Sequence, residues 1–568
     1  MSRRPPAGRL VALFVIMALA FAGVAVRLVL LQVRQADAYQ ALAREQRIRS
    51  ISLPAARGSI LDRDGHELAL SLPARAVFAD PRLVKDPSAT AETLAPLLEL
   101  PTGFLRQRLE ASGAFVYLAR RVDLGVARSI EQLELPGIGF LEESKRHYPG
   151  DNLAAHLLGF VGLDDVGLAG LELQHDETLG GRPGSMVIEQ DPSGNTIPHG
   201  EGRFVAPVPG EDLILTIDRD LQFQAERALG AAVKANGAKG GTVIVMEPAT
   251  GQVLATATSP TFDANAFDEA PSAATRAWAF IDMYEPGSVN KVITAAAALE
   301  EGAIGTHDVL RVPAQYQVSD HVFHDAHPHP PLDMTLTDVI AQSSNIGTIQ
   351  VAERLGKDLL DQYLRRFGFG TVTGVGFPGE VPGDLMPVDE WWGTSMGTIP
   401  IGQGIAVTPL QMLSVYATIA NGGVRVQPTL VRGTIDGAGR FVESPPPDRV
   451  RVVSARTAEL VTGMLTQAVS DGTGTEAQIG GYWVAGKTGT ARKPFEGGYS
   501  NNYVASFIGF LPASDPQLVV AAILDEPATV YGGVAAAPLF REVATSAVIH
   551  MKIPPARRPA IPPLAADG

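Results

Sequence analysis

The sequence predicts an α+β protein held to a membrane by one N-terminal helix, and three observations carry that prediction. Leu10 to Val33 is apolar with a single charge, Arg27, and crossing ~30 Å of hydrocarbon takes about 20 such residues. Strand-like runs cluster at the two ends of the second half of the chain, with helical patterns between them. That order implies one mostly antiparallel sheet of five strands, assembled from distant segments and flanked by helices. Residues 34–208 alternate short strand-like and helix-like pieces with many Gly and Pro breaks, a mixed α/β unit of its own.

Composition narrows the function. The 568 residues suffice for two or three domains, each with a core. A net charge of −15 without a basic block argues against a nucleic-acid surface. Cysteine is absent, which excludes disulfides, thiolate metal sites and cysteine catalysis.

Taken in order, residues 1–9 carry Arg3, Arg4 and Arg9 and are expected to form a short cytoplasmic tail before the 10–33 anchor. Small-residue triplets such as Ala18-Leu19-Ala20 resemble signal-cleavage sites, but the apolar run continues past them and favours an uncleaved span. Arg27 either snorkels to the outer interface or pairs with another membrane protein. Ala36 to Arg49 reads as a helical stalk. In the 34–208 unit, Arg57 to Gly65, Arg146 to Gly150 and Gly167 to Glu172 stand out, but no nucleophile–base pair, phosphate loop or metal spacing does. His156 reads as a packed structural histidine.

A new unit, 209–552, opens with a strand at Leu213 to Ile217 and a helix from Arg219 to Ala235. Gly241 to Met246 and Gln252 to Ala257 form a hairpin about the turn Pro248 to Gly251. Late strands fall at Tyr482 to Thr490, Tyr503 to Phe510 and Leu518 to Leu524, followed by a helix from Pro538 to His550. The Pro- and Ala-rich residues 553–568 are expected to be disordered.

Between the hairpin and the late strands lies Glu285-Pro286-Gly287-Ser288-Val289-Asn290-Lys291, running into an alanine-rich helix closed by Gly302. Ser288 sits near its first turn, and Lys291, three residues on, falls on the same face. A serine nucleophile needs a base, and an unprotonated lysine can be one. Alone, the pair is weak: a capping serine beside a surface lysine has the same pattern. Two further motifs change its weight. Ser343-Ser344-Asn345 lies between two helical patterns, and Lys487-Thr488-Gly489-Thr490 lies on the first late strand.

In this order, on helix, loop and strand, the three motifs resemble those of penicillin-binding proteins and serine β-lactamases. Arg57 to Gly65, Arg146 to Gly150 and Gly167 to Gly180 resemble the elongated pedestal (dimerisation-type) domain of class B penicillin-binding proteins. Gly497-Gly498-Tyr499, Tyr503 to Phe510 and Gly532-Gly533 resemble the division-specific branch, the FtsI-type peptidoglycan D,D-transpeptidases. One departure is His175, where the family usually has an aromatic residue; it bears on pedestal packing. No glycosyltransferase domain precedes the pedestal.

The resemblance implies an acyl transfer that cross-links peptidoglycan stem peptides during septal cell-wall synthesis, with β-lactams as covalent inhibitors. Ser288 would be the nucleophile, Lys291 its base, Ser343 a proton relay, and Asn345 a holder of substrate and Lys291. Lys487 and Thr488 would bind the substrate carboxylate, and Gly489 would leave room for substrate along the strand edge. Backbone N–H groups of Ser288 and Thr490 would form the oxyanion hole. No cofactor or metal is expected: the cluster His321, His324, His327 and His329 has Pro-broken, irregular spacing. Trp391 and Trp392 are equally a cleft wall or ordinary packing. Implied partners are lipid-linked nascent glycan, an FtsW-type SEDS glycosyltransferase and other divisome membrane proteins. The alternatives are an elongation-specific class B transpeptidase, a β-lactamase or carboxypeptidase, a pseudoenzyme scaffold and, in another class, a membrane β-lactam sensor. Such a sensor should carry several spans and a His-Glu-x-x-His protease, and the sequence has neither.

Overall fold

The computed structural model describes residues 7–34, 48–189, 203–495 and 498–564. Most of the expected stalk, and Gly497 of the division-type motif, lie outside them. Residues Ala7–Val33 form one apolar helical stretch of 27 residues, whose most apolar 18-residue window has mean hydropathy 2.6 and is not buried. It starts a turn earlier than hydropathy alone predicts, because Ala7, Gly8 and Arg9 continue the helical backbone.

The described chain divides into two compact units. The smaller takes residues 1–56 and 181–209. It contains the apolar helix and a three-stranded antiparallel sheet ordered Ile48–Leu53, Gly184–Glu189, Arg203–Val205. The larger takes residues 57–180 and 210–568.

In the larger unit, five strands run in the order Val253–Ser259, Gly240–Met246, Leu518–Asp525, Gly498–Leu511, Ala485–Phe495. Every neighbouring pair is antiparallel. This is the sheet the sequence predicts, with two early and three late strands. Successive side chains point to opposite faces, and both faces are covered. Val243, Val245, Val520 and Ala522 join the core under helices Arg219–Ala235 and Gly532–His550. Ile244, Met246, Val519 and Ala521 join the core shared with Val289, Val292 and Ile293, which follow Ser288. Burial on both sides explains why these strands read as apolar runs rather than alternations.

Three expectations change. Asp212–Leu215 does not join the five-stranded sheet; it pairs in parallel with Ile60–Leu61 and antiparallel with Val431–Ile435. Alternation identifies a strand but not its partner. The last helix begins at Gly532 rather than Pro538, leaving the proline inside it; the Gly532 N–H donates to Thr490 Oγ1 (3.1 Å) and fixes the earlier start. Residues 553–564 of the expected disordered tail lie against the unit: Ile553 O accepts from Tyr482 Oη (2.6 Å) and Pro563 O from Thr335 Oγ1 (3.0 Å). An extended Pro-rich segment has no internal hydrogen bonds, so its carbonyls are free to accept.

The standout residues of the first half converge. Glu172 is fully buried and accepts from Arg57 Nε (2.8 Å) and Arg146 Nε (2.7 Å), while Arg57 Nη1 also reaches Asp176 (2.7 Å). Buried charges are tolerated only when paired and hydrogen-bonded in this way. These residues are scaffold. His156 is packed as expected, its Nε2 on Ala274 O (2.8 Å), and burial pushes its imidazolium down to about 4.

Candidate active site

The turn that carries Ser288 is built by a break. Gly287 adopts φ +61°, open to glycine at no steric cost, and a Cβ there would lie 3.0 Å from Thr490 O. One 3-10 turn, Gly287–Asn290, then feeds the helix Lys291–Glu300. Three side-chain bonds fasten it: Asn290 Nδ2 to Ile399 O (2.9 Å), Tyr416 Oη to Val289 O (3.1 Å) and Thr294 Oγ1 to Pro400 O (3.2 Å). From Tyr284 to Ala298 every residue is buried except Ser288. The turn thus presents one hydroxyl and hides its neighbours.

Lys291 is wholly buried beneath it. Its Nζ donates to Ser343 O (2.6 Å) and Asn345 Oδ1 (2.7 Å) and lies 3.3 Å from Ser343 Oγ. Burial pushes its ammonium down to about 7, and Asp325 acts in the opposite direction. Desolvation alone therefore brings this lysine into the range where it can serve as a base at neutral pH. No hydrogen bond joins it to Ser288; its amine is aimed at the second motif. Once neutral, its lone pair can accept from the Ser343 hydroxyl, which links the two motifs for proton transfer.

The second motif is an unusual corner. Ser343 has φ +61°, a conformation costing a non-glycine residue about 1–3 kcal/mol unless its surroundings enforce it. Ser344 caps the helix Asn345–Leu355 by accepting from Gly347 N (2.9 Å). Asn345 Nδ2 donates to His324 O (2.9 Å), which leaves its Oδ1 to face Lys291.

The third motif lies on the sheet's edge strand, Ala485–Phe495. Lys487 is wholly buried, and its Nζ has no hydrogen-bond partner among the described residues. Burial, and secondly the charge of Lys291, holds it well below the usual lysine value. A buried donor left unpaired is costly; an anionic group arriving beside it removes that cost. Thr488 Oγ1 contacts Thr473 Oγ1 (2.8 Å). Gly489 faces the turn that carries Ser288. A Cβ at Gly489 would clash with Ser506 Oγ and lie 3.1 Å from Pro286 O, so the missing side chain lets the strand pack against the turn that carries Ser288.

Sequence reasoning missed two groups. Glu285 Oε1 accepts from Gly404 N (2.9 Å) and Tyr499 Oη (3.1 Å), and burial raises its carboxyl. It ties the strand hairpin to the start of the Ser288 turn. Asp325, from the histidine-rich stretch, accepts from Ser344 Oγ (2.7 Å) and from the N–H groups of Asn345 and Ile346. No spacing rule singles either out. Of the tryptophans, Trp391 packs with Nε1 on Met386 O (3.1 Å), whereas Trp392 is exposed.

Comparison with known proteins agrees along the chain. Residues 241–545 match the penicillin-binding protein transpeptidase domain, and residues 52–215 the penicillin-binding protein dimerisation domain. Penicillin-binding protein PbpB of Mycolicibacterium smegmatis is 36% identical over 95% of this chain and 90% of its own. Peptidoglycan D,D-transpeptidase FtsI of Escherichia coli is 34% identical over 90% of this chain and 86% of its own. The crystal structure of penicillin-binding protein 3 from Mycobacterium tuberculosis in complex with ampicillin superposes with a TM-score of 0.72 at 33% identity, covering 90% of this chain and 99% of that one.

Proposed function

The chain belongs to the class B penicillin-binding proteins, and on that premise we propose that Ser288 is the acylated nucleophile of its septal peptidoglycan D,D-transpeptidase reaction. One observation carries the assignment: Ser288, half-buried, is the single residue of its turn that is not buried, above a lysine whose amine is desolvated and held by Ser343 and Asn345. Ser288 Oγ attacks the carbonyl of the penultimate D-alanine while Lys291 takes its proton. Ser343 relays a proton to the leaving D-alanine amine, and the acyl-enzyme ester remains. An amine of a neighbouring stem then attacks that ester, the new amide forms, and Ser288 recovers its proton. Lys487 and Thr488 receive the terminal carboxylate, while the N–H groups of Ser288 and Thr490 stabilise the oxyanion. Gly489 keeps the strand against the nucleophile turn.

The test is product analysis with the full chain in detergent, given a pentapeptide donor and an amine acceptor. The expected products are free D-alanine and the donor–acceptor amide in equal amounts. Release of D-alanine without amide would make the chain a carboxypeptidase instead.

The proposed domain plan is a 1–9 cytoplasmic tail, a 10–33 span, a 34–208 pedestal and a 209–552 transpeptidase domain, with the N-terminus inside and catalysis outside. It is supported by the extents of the two family matches and by the arginines before the apolar helix. A transpeptidase without glycan-polymerising chemistry needs nascent lipid-linked glycan supplied nearby, and we propose an FtsW-type SEDS glycosyltransferase as the supplier. The span, Arg27 included, would contribute to that contact. Swapping residues 10–33 for an unrelated apolar helix should leave penicillin binding intact yet weaken co-purification with the glycosyltransferase and impair septation. Undiminished co-purification and normal division would reduce the span to a tether.

A further inference from the structure

We infer that His329 is a positioning residue for acylation: its imidazole braces Asp325, and Asp325 holds the corner Ser343–Asn345 on which Lys291 depends. The inference rests on the assignment of Lys291 as base and adds a group that does not touch substrate.

The geometry starts at the ring. His329 Nδ1 faces Pro330 O at 2.7 Å and Nε2 faces Asp325 Oδ2 at 3.0 Å. A carbonyl and a carboxylate can only accept, so both ring nitrogens must carry a proton for both bonds to exist. The ring is therefore placed for the imidazolium form, and Pro328, Pro330 and Pro331 stiffen the loop that carries it. Both partners are sheltered, with 15% of the His329 side chain and 8% of the Asp325 side chain exposed. Asp325 spends its remaining capacity on Ser344 Oγ, Asn345 N and Ile346 N. It therefore sits at the positive end of the Asn345–Leu355 helix and fixes that helix's first turn. The left-handed backbone of Ser343 and the aim of Asn345 Oδ1 at Lys291 both depend on this turn. Removing the brace frees Asp325 to rotate and loosens all three.

Protonation of His329 is thereby coupled to the site. Asp325 is the charged group that faces His329; beyond Asp325 stands Lys291 on the nucleophile helix, and beyond that Lys487 on the motif strand. The Pro330 carbonyl and Asp325 raise the His329 value above the ordinary one. The sign follows: a raised histidine contributes fully below the unfolded value of about 6.5 and is lost as pH rises through its folded value.

The test is the acylation rate of the full chain by a fluorescent penicillin, measured from pH 6 to pH 9 for wild type and His329→Phe. Lys291 and Lys487 titrate in both proteins, so the wild-type-to-variant rate ratio cancels them. The expected ratio is roughly tenfold at pH 6, the loss of one charge-assisted hydrogen bond, falling severalfold by pH 9. His329→Lys, which keeps a positive donor throughout, should hold most of the wild-type rate at pH 6 and keep its advantage over His329→Phe unchanged to pH 9. A ratio of one at every pH, or a constant loss shared by both variants, overturns the inference. If His329→Phe does not fold, the same ratio with His329→Gln decides. Failure of wild type to label at Ser288 would instead strike the functional assignment.

Discussion

Ser288→Ala abolishes covalent labelling by fluorescent penicillin and leaves the melting temperature within a few degrees of wild type. Only Oγ is removed, from the one position in Tyr284–Ala298 that is not buried, and such substitutions usually change stability by less than about 0.5 kcal/mol. The three bonds that fasten the turn, from Asn290, Tyr416 and Thr294, involve other residues. Gel fluorescence read beside a thermal melt checks both halves. A well-folded variant that still labels would move the nucleophile elsewhere.

Lys291→Arg slows acylation by roughly 10²–10⁴-fold, the range associated with loss of a general base. Guanidinium does not deprotonate in proteins, whereas burial brings Lys291 to about 7. The same value sets the wild-type pH profile. Acylation should rise as pH climbs toward 7, as the base form accumulates, and level off above it. Stability moves with the same sign: between about pH 7 and the usual lysine value the unfolded chain holds the proton and the folded chain does not, so this group stabilises the fold increasingly as pH rises. Stopped-flow acylation measures the kinetic effect, and near-normal rates in Lys291→Arg would exclude it as the essential base. Arginine is bulkier in a space with no exposure, so the melt is again read alongside.

Much of this site could be read in advance because its chemistry is compact in sequence. Ser288 and Lys291 are one helical turn apart, Ser343 and Asn345 share a corner, and Lys487 to Thr490 occupy four successive positions on one strand. The five strands of the sheet were also legible, as apolar runs bounded by Gly and Pro. What stayed hidden was long-range pairing. Nothing in Asp212–Leu215 announces Ile60–Leu61 as its neighbour. Asp325 and His329 lie in a Pro-broken stretch where periodicity has no meaning, and the bond from Asn345 to Asp325 spans 20 residues of sequence. Pro538 looked like a helix start because proline is common there, but Gly532 had already begun the helix. That a Cβ at Gly489 would meet Pro286 and Ser506 is likewise a long-range contact that the strand's own sequence does not announce.

The most direct test of the central claim is to treat the full-length chain with penicillin, digest it and map the adduct by mass spectrometry. The account predicts one penicilloyl group per chain, on the peptide containing Ser288 and localised to that residue. An adduct on another residue, or none on a folded chain, would contradict it.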